Sequence, residues 1–188
     1  KHTAQQFFDA FELARKCGFD NINTDLIAGL PTDTPESFKN SLDSIVRLNA
    51  ECITVHTLCM KRASRLTTEG VTLDLRQARD AREMLAYTQN ILGQNEYIPY
   101  YMYRQSRMVG NLENVGWSKR GFESLYNVYV MDETHTILAC GSGGVTKLKR
   151  NNPDYLERIF NFKYPYEYID RFDELIQRKS GIMQFYGQ

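Results

Sequence analysis

Apolar residues recur along the chain at two different periods, and the change of period divides it. Over residues 4–17, Phe7, Phe11 and Ala14 fall at helical spacing, and Gly18 stands where a left-handed C-cap would close a helix. Residues 21–30, NINTDLIAGL, are short, β-compatible and nearly apolar after Asn23, as a buried parallel strand would be. LPTDTP predicts a turn into a second helix. Thr34 suits its N-cap, Pro35 its first position, and Glu36 the positive end of its dipole. Phe38, Leu42, Ile45 and Val46 give that helix its apolar stripe. ECITVHTLCM, residues 51–60, reads as another buried strand, and the loop after it carries Lys61, Arg62 and Arg65. A third helix is expected from Asp74, with Ala78, Ala81, Leu85, Thr88 and Leu92 on one face. Helix and strand alternating through short links is the pattern of a parallel α/β domain.

After residue 96 the pattern shifts toward strands. YIPYYMY (97–103) reads as one. LYNVYVM (125–131) and TILACG (136–141) predict a hairpin around Asp132–His135, an antiparallel edge added to the parallel sheet. GSGGVTKL follows as a Gly-rich turn, and RIFNFKYP as a further strand. Pro165 opens a last helix with Tyr168, Ile169, Phe172, Leu175 and Ile176 facing inward. Two βα units cannot close a barrel. The sheet is therefore either small and open or part of a larger barrel, and the abrupt start at Lys1 favours the second expectation.

Composition narrows the classes. Of 188 residues 42% are hydrophobic, enough for a core, and 23 basic residues balance 23 acidic ones. Such a surface argues against non-specific binding to nucleic acid or to acidic lipid. No apolar run is long enough to span a membrane, so a cytoplasmic protein is expected. Cys17, Cys52, Cys59 and Cys140 lie far apart without a CxxC pair, which suggests buried thiols and no metal site.

The motif NINTDLIAGLPTDTPESF (21–38) resembles a signature of oxygen-independent coproporphyrinogen III oxidase-like proteins. The spacing to the strand around His56 fits, as does the later turn Gly141-Ser142-Gly143-Gly144. Tyr101 to Gln105 and Gly110 to Gly116 look like the branch named coproporphyrinogen dehydrogenase. With that branch the resemblance covers nearly the whole chain.

The resemblance implies an α/β fold: the C-terminal part of a partial (β/α) barrel, with an added antiparallel β/α C-terminal region. Residues 1–96 would supply barrel units and residues 97–188 the family-specific region. It also implies a radical S-adenosylmethionine (SAM) oxidoreductase with a 4Fe–4S cluster on three cysteines of a CxxxCxxC-type loop. Thiolates suit such clusters. Reductive SAM cleavage gives a 5′-deoxyadenosyl radical that abstracts hydrogen from a propionate, and loss of CO2 leaves a vinyl group. The reaction converts coproporphyrinogen III to protoporphyrinogen IX in heme biosynthesis.

This chain contains no CxxxCxxC. The cluster loop and the N-terminal half of the barrel are expected upstream, and the 188 residues alone are expected to hold no cofactor and be inactive. The open barrel half would self-associate or be covered by the chain's own termini.

By the resemblance, Asp25 contacts SAM, since a carboxylate near a strand end can accept ribose hydrogen bonds; the plain alternative is a loop cap or an Arg partner. Gly29 shapes the following turn, and backbone at Thr57 and Cys59 would approach the adenine. Gly141, Gly143 and Val145 would let backbone approach the adenosine, unless the segment is only a turn. Lys61, Arg62, Arg65 and Arg104, with Arg107, would meet the substrate's four propionates, unless they are solvated surface charge. Tyr100, Tyr101, Tyr103 and Trp117 could stack on a tetrapyrrole or fill core. His56 lies mid-strand among apolar residues, where a core role is the default. A second function class is a heme or porphyrin carrier of the same lineage, with His56, Cys59 and His135 as axial-ligand candidates. A radical SAM enzyme acting on another substrate is a third.

Overall fold

The computed structural model describes residues 2–59, 75–104, 109–151 and 154–187. Lys61, Arg62, Arg65, Asp74, Gln105 and Arg107 lie outside the described residues. By packing, the chain divides into two compact units, Lys1–Ser124 and Leu125–Gln188. The first two strands after residue 96 join the sheet of the first unit.

The first unit begins with helix α1 (Ala4–Lys16). Thr3 caps it in a reciprocal box with Gln6, which satisfies two otherwise orphaned amides. Strand β1 (Asn23–Ala28) leads through the turn to helix α2 (Pro35–Arg47). The Thr34 hydroxyl accepts from the Ser37 amide at 3.1 Å, with Pro35 at the first helical position, as the sequence predicts. Strand β2 (Cys52–Thr57) lies parallel to β1, Asp25 opposite Thr54 and Ile27 opposite His56. Helix α3 (Leu75–Gln94) and strand β3 (Ile98–Tyr103) follow.

Strand β4 (Asn114–Ser118) was not legible in the sequence. It is short, and Gly116 at its centre interrupts the apolar alternation. It runs antiparallel to both neighbours and gives the sheet order β1-β2-β4-β3. The antiparallel addition to a parallel pair is thus present, built from β4 and β3.

The sheet has two unlike faces. Thr24, Leu26 and Ala28 of β1, Ile53 and Val55 of β2, and Val115 and Trp117 of β4 share one. There Ala28, Ile53, Val55 and Trp117 pack with Phe38, Leu42 and Ile45 of α2 and Met84 and Leu92 of α3 as one buried core. Each of the larger aliphatic and phenylalanine side chains there contributes on the order of 1.5–3 kcal/mol. The opposite face carries Asn23, Asp25, Thr54, His56, Tyr101, Tyr103, Asn114 and Gly116. In a (β/α) barrel helices lie outside and the other face lines the interior. The mixed α/β architecture agrees with the expected partial-barrel region.

In the second unit, the hairpin expected over residues 125–141 is not formed. Residues 125–132 form helix α4 (Leu125–Asp132), closed by Glu133 at φ 52°. Its aromatic and β-branched residues favour strands only weakly, and Leu125, Val128, Tyr129 and Asp132 also fit helical spacing. Ile137 instead forms an isolated bridge with Lys147. The hairpin of this unit lies later: β5 (Val145–Asn151) pairs antiparallel with β6 (Asp154–Phe160). The expected last helix is three short ones, α5 (Pro165–Asp170), α6 (Phe172–Lys179) and α7 (Gly181–Tyr186). Leu175 is buried as expected, but Ile169, Phe172 and Ile176 are exposed.

Candidate functional site

Strand alternation and parallel register place Asp25 and His56 side by side on the polar sheet face. His56 Nε2 stands 3.8 Å from Asp25 Oδ1, a charge-range contact longer than a hydrogen bond. On its other side His56 Nδ1 meets the Tyr103 hydroxyl at 3.3 Å. A second chain of contacts runs alongside. The Asn23 amide donates to Asp25 Oδ1 at 2.7 Å, Thr54 Oγ1 donates to Asn23 Oδ1 at 3.1 Å, and Thr54 meets the Tyr101 hydroxyl at 3.3 Å. The rings of Tyr101 and Tyr103 lie parallel, with centroids 6.2 Å apart. The two chains therefore join the Asp25 carboxylate on β1 to an aromatic pair on β3.

Electrostatics follow this geometry. His56 is the largest influence holding the Asp25 carboxyl below its ordinary value; partial burial opposes it, and the Asn23 amide reinforces it. Burial pushes the Tyr101 and Tyr103 phenols up, so both remain protonated donors at neutral pH. The Asp25 side chain is 60% exposed, so it is oriented yet open to a ligand. Beside it a groove of about 760 Å³ runs along the β1 edge, bounded by Phe7 and Phe8 of α1 and by Ser37 and Ser41 of α2.

The other expected site residues are placed differently. Gly29 (φ 85°) gives its amide to Met84 Sδ at 3.2 Å, and a β-carbon there would meet Ala81 Cβ at 3.2 Å. It lets α3 approach the end of β1. Thr57 is buried; its amide donates to Asn114 Oδ1 at 2.7 Å and its hydroxyl to Glu113 O at 2.9 Å. Cys59 is half-buried just past β2. Arg104 pairs with Glu113 at 2.5 Å and borders an apolar cavity on the helix side of the sheet, lined by Val55, Met102 and Trp117. Trp117 is thus a core residue of the opposite face.

Gly141, Gly143 and Val145 lie in the second unit. The Gly141 carbonyl accepts from the Asn161 amide at 2.7 Å, and the Gly143 amide donates to Phe162 O at 2.7 Å. Val145 begins β5. His135, in the same unit, is exposed beside Tyr129. Asn23, Thr54, Asn114 and Gly116 join the polar face without having been singled out in the sequence. The signal was there, since Asn23/Asp25 and Thr54/His56 alternate in two strands expected to be parallel.

Over 183 residues the chain is 36% identical to the oxygen-independent coproporphyrinogen-III oxidase-like protein HemZ of Bacillus subtilis (strain 168), covering 97% of this chain and 36% of that protein. Over nearly its whole length the chain is therefore similar to the oxygen-independent coproporphyrinogen III oxidase-like family. It is also 30% identical over 160 residues to the heme chaperone HemW of Lactococcus lactis subsp. lactis (strain IL1403), covering 80% of this chain and 38% of that one. A solved structure titled as coproporphyrinogen III oxidase (HemN) from Escherichia coli, a radical SAM enzyme, shares the fold. Its TM-score is 0.62 at 18% identity, over 93% of this chain and 39% of that chain. No protein-family model matches the chain. The chain spans little more than a third of the length of these relatives. Among the described residues, no cluster of three or more His, Cys, Asp or Glu could hold a metal ion. Among them, too, no helix is long and apolar enough to cross a membrane.

Proposed function

We propose that the chain is one wall of the catalytic barrel of a longer, cytoplasmic radical SAM enzyme. That enzyme would oxidatively decarboxylate coproporphyrinogen III to protoporphyrinogen IX in heme biosynthesis. The observation that carries the reading is the Asp25 carboxylate, oriented but exposed on the polar sheet face that also bears Tyr101 and Tyr103. The similarity to coproporphyrinogen-III oxidase-like proteins supports the reaction class.

The donor set tests which groups this chain can hold. The sequence carries no CxxxCxxC loop, so on this reading the 4Fe–4S cluster would be held by residues outside these 188. Asp25 does suit SAM, because an ionised carboxylate accepts hydrogen bonds from both hydroxyls of a vicinal diol. Bound at the cluster, SAM supplies the hydrogen-abstracting chemistry. Asp25 holds the nucleoside, and the tyrosines offer an aromatic surface with two hydroxyl donors for a tetrapyrrole carboxylate. Lys61, Arg62 and Arg65 follow β2 in sequence and would supply cationic partners for propionates.

The test is release of 5′-deoxyadenosine by the full-length protein, reconstituted with iron and sulfide without oxygen. Release stimulated by coproporphyrinogen III, with vinyl product, supports the decarboxylase. Release indifferent to the porphyrinogen points to another substrate. No release from cluster-loaded protein rejects the enzyme reading.

The likeness to HemW favours a heme carrier as the second reading. In that case His56 would have to release Asp25 or Tyr103, since each ring nitrogen faces one of them. A hemin titration followed at the Soret band, repeated with His56→Ala, decides. Saturable binding lost in the variant supports the carrier, and no saturable binding rejects it.

A further inference from the structure

We propose that His56 is a positioning residue: it fixes the Asp25 carboxylate in the rotamer that receives a nucleoside diol. The proposal rests on the assignment of Asp25 to the SAM ribose and adds the residue that orients it.

The geometry supplies three arguments. First, His56 and Asn23 both approach the same carboxylate oxygen, Oδ1, from different strands. An aspartate gripped by one oxygen keeps its plane while its side chain remains open, and a two-point acceptor for vicinal hydroxyls needs a fixed plane. Second, His56 is itself held. Tyr103 engages Nδ1 at 3.3 Å, and the two rings meet edge to face with centroids 6.4 Å apart. With the phenol donating to Nδ1, the ring proton lies on Nε2, directed toward Asp25. Third, the ring is half-buried on the sheet face that carries Asp25, not in the helix-packed core. A polar, orientable ring is unnecessary for packing at that place. Tyr103 thereby also links the aromatic surface to the nucleoside acceptor through a single ring.

The test measures the dissociation constant for SAM in the cluster-loaded full-length protein by calorimetry. It uses wild type, Asp25→Ala, His56→Ala, His56→Gln and the Asp25→Ala/His56→Ala double variant, with thermal unfolding as a check on folding. His56→Ala is expected to weaken binding about fivefold or more. His56→Gln should recover most of the loss, because the glutamine amide can place an N–H where Nε2 stood. The double variant should bind no worse than Asp25→Ala alone, since a positioning residue has nothing to position once the carboxylate is gone. Independent losses that multiply in the double variant would overturn the proposal while leaving Asp25 as the nucleoside acceptor. So would a glutamine no better than alanine at equal folding. Unchanged affinity in Asp25→Ala would instead reject the nucleoside assignment, and the role of His56 with it.

Discussion

The ring of Tyr101 occupies the space that a side chain at position 116 would fill. A β-carbon on Gly116 would stand 1.8 Å from Tyr101 Cε1 and 2.3 Å from Cδ1. The absent side chain on β4 is what lets Tyr101 lie across the sheet and meet the Thr54 hydroxyl. Gly116→Ala should therefore push the ring off the face and destabilise the fold by about 1–3 kcal/mol. In a Tyr101→Ala background the same substitution should cost far less. Denaturant unfolding of the four proteins checks the cycle.

The helix-covered face should behave as ordinary core. Phe38 is 1% exposed and sits between α2 and the sheet. Phe38→Ala is expected to lose about 3–5 kcal/mol. Thr34→Ala removes the N-cap of the same helix and should cost about 1 kcal/mol. Urea midpoints at constant m-value give both numbers.

Glu51 sets a pH dependence. Arg15 reaches both its oxygens at 2.8 Å and the Ile22 amide donates to it at 3.0 Å, tying α1 and the start of β1 to the start of β2. Burial alone would raise this carboxyl, but the Ile22 amide and the Arg15 guanidinium outweigh it, and the group sits below its ordinary value of 4.5. Its folded-state value is thus depressed. The stabilisation is complete above about pH 4.5 and fades as pH falls through the lower, folded-state value. Glu51→Gln should lose about 1–2 kcal/mol at neutral pH. It should also flatten the acid limb of stability against pH, measured by unfolding in urea between about pH 3 and pH 7.

Both outer strands of the four-stranded sheet, β1 and β3, have one unpaired edge within it. Ile27 on the polar face of β1 is 43% exposed and Met102 on β3 is 59% exposed. Expressed alone, the 188 residues are expected to self-associate through these edges. Light scattering at rising concentration should show mass growing beyond the monomer. A constant monomer mass would count against this.

The first unit was legible because local and long-range signals agree there. Thr34-Pro35 marks a helix start, and two near-apolar strands joined through that helix force a parallel pair. The Asp25–His56 neighbourhood follows from that register, although the apolar residues flanking His56 in sequence suggest core. β4 is not legible because Gly116 removes the alternation that marks a strand, and its reason for being glycine, the Tyr101 ring, lies on the neighbouring strand β3. The second unit was harder. In residues 125–132 strand-favouring residue types compete with helical spacing, and tertiary context decides between them. The Gly-rich turn is legible in the sequence, but the hairpin it leads into, β5–β6, lies later in the chain than the predicted one.

The central claim is that the polar face bearing Asp25 and His56 receives the nucleoside. Photo-cross-linking of the cluster-loaded full-length protein with an adenine-azido analogue of SAM, followed by peptide mass spectrometry, tests it most directly. The account predicts label on the strands of that face, around β1 and β2, that excess SAM competes away. Label confined to the outer surfaces of α2 and α3, or label that SAM does not displace, would contradict it.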